Sequence, residues 1–121
     1  MKILSNKQVH LLYETIVQIK NINLPITLSF KLTKNLMTLE PIYQAIQTTR
    51  EETLRAHGYT GEPDFQFPES EVAAINAELI EILDIQNSLE LSTIKMSELE
   101  KLENLPISLM EGLYPIISEE E

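Results

Sequence analysis

The sequence predicts a mainly α fold: an irregular three-helix bundle with a short extended segment and small C-terminal helices. Three observations predict it. Apolar residues recur at three- and four-residue steps over positions 9–19, 28–46 and 72–82. Start and stop signals bracket the first two of those stretches: Ser5 with Gln8 before the first, Pro25 before the second and Gly58 after it. The apolar fraction of 43% is that of a globular chain, and with no Trp its core must be built mainly from Leu and Ile. At 121 residues, positions 1–121 are read as one helical domain with an acidic tail at 118–121.

The first helix is expected over about 6–20. Ser5 and Gln8 form a capping box, and Val9, Leu12, Tyr13, Ile16 and Ile19 form one stripe. The second is expected over about 25–57. Ile26, Leu28, Phe30 and Leu32 alternate as a strand would, but Leu28, Leu32, Leu36, Leu39, Tyr43 and Ile46 sustain helical spacing for longer. Pro41 lies inside this span, so a kink or break is expected near Thr38 and Leu39. Gly58, Gly61, Pro63 and Pro68 make 58–68 a loop, pinned by Tyr59, Phe65 and Phe67. A third helix over about 69–83 carries a stripe of Val72, Ile75, Leu79 and Ile82, with Glu71, Glu78 and Glu81 toward water. Beyond Asp84, positions 89–94 read as a short strand or extended segment, Ser97 to Glu100 as a short helix, and Ser108 with Glu111 as a second capping box opening a last helix to about 116. The expected core includes Leu12, Ile16, Leu32, Leu36, Tyr43, Ile46, Ile75, Leu79 and Ile82.

Charge is unevenly distributed. The net charge is −10, yet positions 1–50 carry six bases against two acids while positions 51–121 carry three bases against seventeen acids. An acidic half suits either a solvated face or docking onto a basic partner. It disfavours direct nucleic-acid binding, which needs clustered bases. No apolar run is long enough for a membrane span or a signal-peptide core, so the expected location is the cytoplasm.

The chemistry-bearing motifs fail one after another. There is no Cys, hence no disulfide, thiolate nucleophile or Cys-based metal site. The three glycines form no phosphate-binding loop, no nucleophile elbow and no calcium loop. His10 and Glu14 share a helix face without further ligands in sight, and His57 ends a helix where a cation favours the dipole. No enzyme and no cofactor is expected, although a site of scattered acids would leave no motif. The interaction candidates are Lys31 and Lys34, three apart on the second helix, where with Lys20 and Arg50 they would make a basic patch, and Phe65 and Phe67 in the loop.

Four segments carry a resemblance: Leu24 through Leu36, the helix holding Arg50, Glu51 and Glu52, Ile82-Leu83-Asp84-Ile85, and Ser97-Glu98-Leu99-Glu100. Together they resemble a family of small uncharacterised helical proteins encoded by phages and prophages of Gram-positive bacteria. Pro41 departs from the uninterrupted helix of that family. The resemblance implies a phage accessory protein that binds and inhibits a bacterial host or anti-phage defence factor. Its alternatives are a structural or assembly component of the particle and a protein that sequesters a small nucleotide signal. Leu11, Val17, Ile26, Phe30 and Met37 fall off the main stripes of the first two helices, which predicts a homodimer closed helix against helix through the basic half.

Overall fold

The structure, a computed structural model, describes residues 2–100, 102 and 105–118. Its elements are β1 (Lys2–Ser5), α1 (Asn6–Ile19), α2 (Ile26–Ala56), α3 (Glu69–Asp84), β2 (Gln86–Leu89), β3 (Ile94–Lys95), α4 (Met96–Glu100), α5 (Ile107–Leu113), a 3-10 turn (Tyr114–Ile116) and β4 (Ile117–Ser118). The fold is mainly α, with α1, α2 and α3 packed as a bundle and two small sheets beside them.

Local chemistry accounts for the helix ends. The Ser5 hydroxyl accepts the Gln8 amide at 3.2 Å and Gln8 Oε1 accepts the Ser5 amide at 2.9 Å, so the capping box is complete. Helix α2 stops in a Schellman arrangement. The Gly58 amide donates to the Arg55 carbonyl at 3.0 Å, and the Tyr59 amide to the Leu54 carbonyl at 3.1 Å. Gly58 supplies the required positive φ of 101°.

Three expectations need correction. No break occurs at Pro41: α2 runs unbroken for 31 residues, about 46 Å at 1.5 Å per residue. Pro41 sits on an exposed face. There, water can satisfy the carbonyl that the ring deprives of its donor. The second capping box does not form. Helix α5 begins at Ile107 behind Pro106, which leaves Ser108 within the first turn and no side-chain cap. Ser118, read as the first residue of the tail, belongs to β4. Positions 119–121 of that expected acidic tail lie outside the described residues.

The core gathers at the meeting of α1 and α2. Val9, Leu12, Ile16 and Ile19 from α1 and Leu28, Leu32, Leu39 and Ile46 from α2 are buried together with Ile82, Ile94, Leu99, Leu113 and Ile116. Of the expected core, Leu36, Tyr43 and Leu79 are only partly buried; Val72, expected on the stripe of the third helix, is exposed. Strand β1, which periodicity did not reveal, pairs antiparallel with β2 from Lys2 opposite Leu89 to Ser5 opposite Gln86. Strands β3 and β4 run parallel, Ile94 beside Ile117. Two buried asparagines tie the added segments to the bundle. Asn6 donates to the Ile82 carbonyl at 2.7 Å and accepts from Asn87 at 2.8 Å. Asn35 donates to the Ser92 carbonyl at 2.9 Å and accepts the Ser92 amide at 2.7 Å, both backbone groups of one residue. Such buried amides are tolerated because their polar groups are paired.

Candidate interaction surface

Helix α2 is the shared wall of two grooves, one against α1 and the other against α3. The residues proposed from sequence occupy neither groove as a group. Lys31 is engaged within the fold: its Nζ lies 2.8 Å from Glu98 Oε1 and fastens α2 to α4. The Lys31 ammonium holds the Glu98 carboxyl below its ordinary value, and the Lys95 amide adds to the effect. Lys34 stands 5.8 Å from the centroid of the Phe30 ring and lines a separate cavity of about 530 Å³ with Asn35, Thr38 and the 88–92 segment. Arg50 reaches Gln47 and lies about 24 Å further along α2 than Lys34. The four bases of the expected patch therefore do not converge.

The loop aromatics close on one another. Phe65 and Phe67 meet edge to face at 4.9 Å, and Tyr59 lies 5.6 Å and 6.1 Å from them. Arg55 sits over Tyr59 at 5.8 Å. Phe65 and Phe67 are half-buried and hold the loop in shape.

The groove between α2 and α3 was not legible as a site in the sequence. Two adjoining cavities of about 350 and 550 Å³ share Thr49, Ile82 and Ile85 and follow α2 from Pro41 to Ala56. The Pro41 end is apolar, with Ile42, Ala45 and Ile46 facing Ile82 and Ile85. The Ala56 end is rimmed by three carboxylates, Glu52, Glu78 and Glu81. Ile85 is 54% exposed there, a large apolar side chain left in water beside the acids. The floor comes from small side chains on α2, Ala45, Thr49 and Ala56, which let another chain approach the helix closely.

A clasp holds the acidic end. His57 Nδ1 lies 2.8 Å from Glu71 Oε2, and its Nε2 lies 2.6 Å from Glu78 Oε2. Carboxylates only accept, so the ring satisfies both when each nitrogen carries a proton. The hydrogen bond to Glu71, then that to Glu78, raises the His57 pKa above its ordinary 6.5. This adds to two expectations: Glu71 and Glu78 also grip His57 across helices, and His57 bridges α2 to α3 in addition to ending its helix. His10 keeps a structural place, 3.1 Å from Glu14 and stacked at 5.2 Å on Tyr43.

Compared with known protein families, with curated proteins and with solved structures, the chain finds no match in any of the three. Among the described residues no helix is long and apolar enough to cross a membrane, and no cluster of three or more His, Asp or Glu is arranged to hold a metal ion.

Proposed function

We propose that the chain is a non-catalytic interaction protein of the phage accessory kind. It acts in the cytoplasm of an infected bacterium and inhibits a host or anti-phage defence protein by binding a basic surface on it. The observation that carries this reading is the α2–α3 groove, apolar at the Pro41 end and rimmed by Glu52, Glu78 and Glu81 at the other. Burying apolar side chains against Ile42, Ile82 and Ile85 supplies affinity. The carboxylates select the sign of the partner and speed its arrival. A segment with apolar side chains at one end and Lys or Arg at the other satisfies both ends of the groove. A nucleic acid satisfies neither.

The test is capture from lysates of several susceptible bacteria, with the bound proteins identified by mass spectrometry. Wild type is expected to retain a stoichiometric partner. The Glu52→Lys, Glu81→Lys double variant is expected to lose it, whereas Glu62→Lys with Glu100→Lys, an equal change of charge at exposed positions outside the groove, is expected to keep it. Recovery of no stoichiometric partner overturns the reading, as does equal loss in both double variants.

A further inference from the structure

We propose that the α1–α2 groove is a homodimer interface, closed by a second copy of this chain across a two-fold axis beside Met37. The groove encloses about 420 Å³ and is lined in equal part by apolar side chains, Tyr13 and Val17 from α1 and Leu36 and Met37 from α2, and by polar ones, Lys20, Asn21, Thr33 and Glu40. Beside it, α2 presents a row of apolar side chains to water. Ile26 is 82% exposed, Phe30 65% and Met37 70%. Positions 26, 30, 33, 37 and 40 advance by alternating steps of four and three, so they form one straight stripe. Ile26, Phe30 and Met37 on that stripe, continuous with the apolar side chains of the groove, call for a cover.

The charges at the groove's ends say which cover. Lys20 and Glu40 line the same groove, and both are exposed. Helix α1 descends as α2 rises: Tyr13 stacks on Tyr43 at 4.1 Å near one end, and residues 20–25 make the turn at the other. Lys20 therefore lies at the turn end, and Glu40 lies toward Tyr13, about 4.5 Å beyond Met37 along the helix. Neither side chain forms an ion pair or hydrogen bond within the chain among the described residues.

A surface positive at one end and negative at the other is complementary to its own reversed image. A two-fold axis through the middle of the groove, perpendicular to α2, supplies that reversal. It sets the helices antiparallel and places Met37 against Met37 of the second copy. Lys20 then faces Glu40 of the second copy, and the pair is made twice, as an isologous contact requires. A wholly basic or wholly acidic partner would satisfy one end and be repelled at the other. The cover is a second copy, and what makes the face self-complementary is its pairing of opposite charges, not the basic character of the N-terminal half.

The experiment is light scattering over a dilution series of the full chain, with circular dichroism to confirm that each variant folds. Wild type is expected at about 28 kDa, twice the 13.9 kDa of one chain, at tens of micromolar. Lys20→Glu alone and Glu40→Lys alone each set like charges together at two places, and each should raise the dimer dissociation constant by at least about tenfold. The double variant Lys20→Glu, Glu40→Lys swaps the pair and should restore the dimer. An equimolar mixture of the two single variants should form a heterodimer. A wild-type mass near 14 kDa overturns the proposal. So do single variants that dimerise like wild type, or a double variant that stays as weak as the singles.

Discussion

The two grooves flanking α2 differ in one respect that decides what each can hold. The α1–α2 groove carries one base and one acid at opposite ends, while the α2–α3 groove carries three acids at one end and no base opposite. The first is proposed to close on a reversed copy of itself, the second to take a partner of different composition. Their walls are also held differently. Along α1–α2 the seam is apolar, with Leu12, Ile16 and Ile19 fully buried beside Leu28, Leu32 and Leu39. Along α2–α3 the apolar contact is thinner, and its far end is closed by the His57 clasp. A dry seam is insensitive to pH, whereas a clasp of one imidazolium between two carboxylates is not.

The largest effect separates the two seams directly. Ile16→Ala should cost about 2–5 kcal/mol in urea unfolding, because a fully buried side chain leaves a cavity. Ile82→Ala should fall lower in that range, since Ile82 retains 9% exposure beside the acidic groove. Equal losses would remove the contrast between the seams.

Next comes the seam between α1 and α5. Gly112 has no room for a side chain, since a Cβ there would overlap Oγ1, Cβ and Cγ2 of Thr15. Gly112→Ala should destabilise by about 1–3 kcal/mol. Adding Thr15→Ala should recover part of the loss, and its failure to do so would break this account of the close approach. A smaller effect is expected at the α1 cap, where Ser5→Ala should cost about 1 kcal/mol by removing the acceptor of the Gln8 amide.

The smallest effect is the pH dependence. The His57 pKa is raised in the folded chain, so the clasp contributes fully below the ordinary 6.5 and is lost as pH rises through the folded value. The stability advantage of wild type over His57→Gln should therefore shrink between pH 5.5 and pH 9. The Lys31–Glu98 tie has the opposite sense. Glu98 is lowered from 4.5, so its contribution holds above that pH and fades as pH falls through the folded value. Unfolding midpoints across that range check the first sign, and midpoints taken below pH 4.5 check the second.

The elements written locally were legible. The Ser5–Gln8 box, the stripe of Leu12 and Ile16 and the Gly58 stop each depend on neighbours within one or two turns. What escaped depends on partners far along the chain. Strand β1 finds β2 through Lys2 and Leu89, Lys31 finds Glu98, and Asn35 finds Ser92. A four-residue strand has too few positions to show a period, and a lysine does not disclose which distant acid it will meet. The same limit governed the site. The excess of acids after position 50 was plain in the sequence. That Glu52, Glu78 and Glu81 rim one groove, while Glu71 and Glu78 also reach His57, follows only from the packing of α3 on α2.

The central claim is that one groove closes on a second copy and the other takes a foreign basic segment. Its most direct test is the amount of captured partner retained by Lys20→Glu and by the Glu52→Lys, Glu81→Lys variant, measured side by side by quantitative mass spectrometry. The account predicts wild-type retention for Lys20→Glu and a loss of at least about tenfold for the double variant. Loss of the partner from Lys20→Glu together with full retention by the double variant would contradict it.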